Sequence, residues 1–110
     1  MKRTIVLHLR IKTKEAGGEA LRSFLRAAVP FYEAPQGIAV RLLRSRADPT
    51  RFLEVIEYED EEAFEKDAAR VRSDPEMRRL LDRWRSLLVG EVEVEVFEDE
   101  TEKIGGEDEA

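Results

Sequence analysis

Between Arg51 and Pro75 the stretch RFLEVIEYEDEEAFEKDAARVRSDP changes its hydrophobic period, and no other feature constrains the fold as strongly. Leu53, Val55 and Glu57 alternate with Phe52, Glu54, Ile56 and Tyr58, the period of a strand over Phe52 to Glu59. Asp60 then offers an N-cap, and Glu61 and Glu62 in the first turn suit the helix dipole. Ala63, Phe64, Ala68 and Val71 follow at helical spacing. Ser73-Asp74-Pro75 interrupts that helix, because a capping side chain followed by proline starts a new segment. A strand thus passes through an acidic turn directly into a helix broken in two.

The flanks repeat the theme. From Thr4 to Lys12, Ile5, Leu7, Leu9 and Ile11 alternate with Val6, His8, Arg10 and Lys12, which predicts a strand with one apolar side. Leu21, Phe24, Leu25 and Ala28 predict a helix over Glu19 to Phe31, with Pro30 near its end and a Pro35-Gln36-Gly37 turn beyond. Ile38 to Arg44 alternates again, and Ala47-Asp48-Pro49-Thr50 supplies a hairpin turn to the next strand. Met77, Leu80, Leu81, Trp84, Leu87 and Leu88 form an amphipathic stripe that stops at Gly90. Glu91 to Phe97 is the closing strand, with valines at every second position.

The order is β-α-β-β-α-β. It predicts a ferredoxin-like α+β sandwich, a four-stranded antiparallel sheet with helices on one face and the second helix broken near Ser73-Pro75. A helix layer on one side leaves the other face of the sheet uncovered. Placing the apolar set of the first strand against the helices puts Val6, His8 and Arg10 on that open face, with Ala39, Arg41 and Leu43, and with Glu93, Glu95 and Phe97. From the third strand the expectation is Phe52, Glu54, Ile56 and Tyr58, since Leu53 and Val55 suit the core. A face this mixed fits a sheet-to-sheet homodimer enclosing a partly polar cavity.

At 110 residues the chain is the size of one domain. Its net charge of −6 is concentrated: residues 98–110 hold seven acids and one lysine, so the body is neutral. Residues 1–97 are therefore expected to form the domain and 98–110 a mobile acidic tail. The neutral body offers no basic surface for nucleic acid. The absence of cysteine excludes disulfides, thiolate metal sites and cysteine catalysis. With no secretory leader and no apolar run near the roughly 18 residues that span a bilayer, a cytoplasmic protein away from membranes is expected.

Phe52-Leu53, the run Tyr58-Glu59-Asp60-Glu61-Glu62-Ala63-Phe64 and the later Ser73-Asp74-Pro75 resemble the strand–helix signature of the dimeric α+β barrel superfamily. Within it the chain is most similar to the antibiotic biosynthesis monooxygenase group, over roughly residues 3–98. The resemblance implies a homodimer whose sheets form a barrel, with a pocket between sheet and helices. Some members oxidise aromatic polyketides without metal or flavin, some degrade haem, and many have no known activity. Two positions depart from the group. Members often carry glutamate where this chain has Ile56, and histidine where it has Asp67.

The candidate site residues follow from these faces. His8, the lone histidine, can carry a proton near neutrality, or sit hydrogen-bonded in an interface. One histidine without companions is a poor metal signature, and no metal or cofactor is expected. Glu54 becomes a general base if burial raises its pKa, or else a structural ion-pair partner. Arg10 and Arg41 can clamp a substrate carboxylate or oxyanion, or pair with sheet glutamates. Phe52 and Tyr58 can stack on an aromatic ligand or simply pack. Trp84 reads as core within its leucine stripe.

Three functions compete. The first is a cofactor-independent, monooxygenase-like enzyme acting on a small aromatic or polyketide-like molecule. His8 or Glu54 would serve as base, and Arg10 or Arg41 would hold the oxyanion. The alternative is a non-catalytic dimeric module for a small ligand or partner. An RNA-recognition role shares the element order, but the third strand lacks the glycines and carries acids.

Overall fold

The computed structural model describes residues 4–105, and the elements form in the predicted order. They are β1 (Ile5–Lys12), α1 (Glu19–Tyr32), β2 (Ile38–Arg44), β3 (Arg51–Tyr58), α2 (Glu61–Ser73), α3 (Pro75–Ser86) and β4 (Glu93–Glu98). A single 3-10 turn, Thr101–Ile104, follows within the tail, whose last five residues lie outside the described stretch. The four strands are antiparallel in the order β2-β3-β1-β4, with the helices on one face.

Local chemistry sets the helix ends. The Asp60 side chain accepts from the Ala63 amide at 2.9 Å, capping α2. Asp74 accepts from the amides of Glu76 and Met77, and Pro75 opens α3, so the helical stretch breaks where the capping pattern places it. Asp60 and Asp74 thus anchor two short helices over the sheet in place of one long one. α1 starts at Gly18, whose φ of 62° lies in the left-handed region. A Cβ there would come within 2.4 Å of the Phe52 ring, so the glycine is needed for space as well as for conformation. Gly18→Ala is expected to lower stability by about 1–3 kcal/mol in urea denaturation, through overpacking against Phe52.

The register corrects one expectation. Ile5, Leu7, Leu9 and Ile11 pair with Tyr58, Ile56, Glu54 and Phe52, and directly paired residues share a face. Phe52, Glu54, Ile56 and Tyr58 therefore face the helices and not the open side. The reason is bulk: Phe52 and Tyr58 offer more apolar area than Leu53 and Val55, and both are almost fully buried beneath the helices. The cost is an acidic residue, Glu54, carried into the same layer. Leu53, Val55 and Glu57 take the open face, beside Val6, His8, Arg10, Ala39, Arg41, Leu43, Glu95 and Phe97.

The helix layer does not close over β4. No residue of α2 is fully buried, and Val71 is 40 % exposed. On the helix side of β4, Val94 and Val96 are 60 % and 50 % exposed. A gap thus remains between the sheet and α2 and α3.

Candidate functional site

That gap is a cleft of about 600 Å³. Leu7, Leu9, Ile56, Val92 and Val94 form its sheet wall, and Met77, Leu81, Trp84 and Leu88 its helix wall. Volume and lining are those of a small-molecule site, apolar with a few polar groups.

Glu54 is the polar group that stands out. It is only 2 % exposed, and its register neighbours Leu9 and Leu42 are apolar. Its one hydrogen bond among the described residues is from Trp84 Nε1, which donates to Oε1 at 3.1 Å. Burial pushes the Glu54 carboxyl up to about 7, against the smaller opposing pull of the Trp84 N–H. Near neutrality both protonation states are populated, as acid–base chemistry requires.

Tyr32, at the end of α1, also lines the cleft. Its buried hydroxyl has no partner among the described residues. Burial, and then the Glu54 charge, raise its pKa, so it stays a neutral phenol.

A network anchors the α2 side of the cleft. Tyr58 donates to Asp67 Oδ2 at 2.5 Å, and Arg70 Nη2 donates to Asp67 Oδ1 at 2.9 Å. Arg70 also donates to the carbonyls of Phe31 and Tyr32, at 2.9 and 2.7 Å, capping the C-terminus of α1. The guanidinium lies 4.9 Å from the centroid of the Phe31 ring. One arginine so ties α2 to α1 and holds the turn that carries Tyr32. Burial, reinforced by the bond to Asp67, raises the Tyr58 pKa.

The predicted site residues separate into two groups. Only Glu54 lines the cleft. Phe52 packs in the core under Gly18, and Tyr58 is buried edge-on to Phe64 and bonded to Asp67. His8, Arg10 and Arg41 lie on the open face, so no single pocket within one chain unites them with Glu54. There the His8 ring packs tilted against Phe97 with centroids 4.7 Å apart, Arg10 pairs with Glu95 at 3.6 Å, and Arg41 pairs with Glu57 at 3.4 Å. Among the described residues, no group of three or more His, Asp or Glu side chains is placed to hold a metal ion. None of their helices is long and apolar enough to cross a membrane.

Sequence reasoning read Trp84 as core and did not place Tyr32 or Arg70 among the candidate site residues. Trp84 is indeed buried, but its N–H is spent on the acid. Alternation in β3 gave no such signal: a donor from the helix layer is demanded only once the register turns Glu54 inward.

Comparison with known proteins agrees with this architecture. The family profile described as "Antibiotic biosynthesis monooxygenase" matches residues 4–67. No curated protein gives a significant match. Among solved structures, SnoaB, a cofactor-independent oxygenase from Streptomyces nogalater, is similar in its N63A form with a TM-score of 0.72. Its identity is 19 %, over 89 % of this chain and 94 % of that one. A conserved protein of Methanosarcina mazei Go1 aligns with TM-score 0.71 and 14 % identity, over 86 % and 91 % of the two chains. Protein SO0527 of Shewanella oneidensis gives 0.68 and 24 %, over 90 % and 93 %. At these identities the likeness establishes the shared fold.

Proposed function

Because this chain belongs to the antibiotic biosynthesis monooxygenase family, we propose that its cleft binds a small aromatic or polyketide-like molecule and that Glu54 is the catalytic base. The observation that carries this reading is a buried carboxyl, poised near neutrality, on the wall of an apolar cleft. In this chemistry Glu54 takes a proton from an acidic C–H of the substrate. The carbanion, delocalised into a neighbouring carbonyl, reacts with dioxygen. A methylene becomes a carbonyl, one oxygen atom enters the product and the other leaves as water. Apolar walls suit that sequence, because they keep bulk water from protonating the carbanion. SnoaB, described as a cofactor-independent oxygenase, supports an oxidation that draws on no cofactor.

The test is oxygen uptake with anthrones, tricyclic ketones whose central methylene is acidic. Uptake that needs no added metal or flavin and disappears in Glu54→Gln supports the reading. Absence of uptake across the series, with the compounds shown to bind, returns the chain to a ligand-binding module.

His8, Arg10 and Arg41 take a different role in this reading, as part of a homodimer formed sheet to sheet. The open face supports it: Val6, Leu43, Leu53 and Phe97 are interspersed with the Arg10–Glu95 and Arg41–Glu57 pairs, and Leu43 is 41 % exposed. Leu43→Glu is expected to convert the dimer to monomer in sedimentation velocity at micromolar concentration. A native chain that is monomeric at every concentration would overturn the pairing.

A further inference from the structure

We infer that Trp84 is the positioning residue of this site: its indole N–H holds Oε1 of Glu54 as an acceptor and leaves Oε2 as the oxygen that gains and loses the proton. The inference rests on the functional reading for its importance, but its geometry stands apart from turnover. An indole N–H can only donate, so the oxygen it engages cannot itself present a proton along that line. Trp84 Nε1 lies 3.1 Å from Oε1, and Trp84 and Glu54 are 5 % and 2 % exposed, which leaves little room for another arrangement.

Among the described residues, Trp84 is the one group hydrogen-bonded to the carboxyl. β1 and β2 set Leu9 and Leu42 beside it. The titratable and charged groups sharing the cleft are Tyr32 from α1, Asp67 from α2, Arg85 from α3 and Glu91 from the segment before β4. Tyr32 stays neutral, and Asp67 is engaged by Tyr58 and Arg70. Oε2 has no partner among the described residues, so a ligand in the cleft meets an oxygen of fixed orientation. Trp84 also favours the ionised form, because its N–H bonds more strongly to a carboxylate than to a neutral acid.

Trp84 is the only tryptophan, so one indole resonance reports on this bond. In the 15N-labelled protein, the indole N–H signal is expected to titrate between pH 5 and 9 with the midpoint of the Glu54 carboxyl carbon, assigned by its loss in Glu54→Gln. An indole signal that stays fixed while that carbon titrates overturns the inference. Trp84→Phe is expected to raise the Glu54 midpoint, through about a tenfold gain in proton affinity from losing one bond to a charged group. An unchanged midpoint in folded Trp84→Phe overturns it too. If that variant does not fold, benzothienylalanine at position 84 removes the donor at constant shape, and the same two outcomes apply. Because neither readout uses substrate, failure of anthrone oxidation leaves this inference standing, and failure here leaves the base assignment to its own test.

Discussion

Glu54→Gln is expected to stabilise the protein at pH 8 by about 3 kcal/mol while abolishing proton abstraction in the cleft. The two effects share one cause. Burial lifts the Glu54 carboxyl from 4.5 in the reference state to about 7 in the fold. The folded state therefore binds more protons than the unfolded state between these values, and stability falls as pH rises through that window. Below pH 4.5 the buried group is neutral in both states and costs nothing; above pH 7 the full penalty applies. Glutamine keeps the shape and an oxygen for the Trp84 N–H, but it cannot ionise. Its stability advantage should therefore vanish as pH falls toward 4.5, which urea denaturation of both proteins at several pH values would show. An advantage equal at pH 4.5 and pH 8 would mean that Glu54 does not carry the shifted pKa. The loss in turnover should be about 10²–10⁴-fold, the usual contribution of a general base.

The second large effect is expected at Arg70. Arg70→Ala should cost about 3–5 kcal/mol, because it leaves the largely buried Asp67 carboxylate without its cation. It also uncaps the Phe31 and Tyr32 carbonyls, so part of the loss comes from the end of α1. Arg70→Lys should recover only part of the loss, since an ammonium cannot reach Asp67 and both carbonyls in the fork geometry. Equilibrium denaturation of both variants separates these terms. A loss below about 1 kcal/mol in Arg70→Ala would place the pair among ordinary surface contacts.

Asp67 also gives physical meaning to a departure noticed in the sequence. Where the family resemblance leads one to expect histidine, this chain has an acid, and the acid is bonded to Tyr58 and Arg70. In the proposed reaction the proton-handling group is Glu54, on the cleft wall from β3. The other departure, Ile56, lines the same wall and contributes apolar surface where the resemblance leads one to expect glutamate.

Period and capping determined the element order in this chain. Alternation in β1 and β2, the Asp60 and Asp74 caps and the Pro75 start are local properties, legible wherever the segment lies. The faces of β1 were legible as well, because one side is uniformly apolar. β3 was different: each of its faces mixes apolar and acidic residues, so alternation alone cannot say which side is buried. Only the pairing of Phe52 with Ile11 and Tyr58 with Ile5 decided it, and that decision carried Glu54 under the helices. The meeting of Glu54 with Trp84 was likewise beyond the sequence. A buried carboxyl and its donor lie on different layers, and only packing the layers brings them within 3.1 Å.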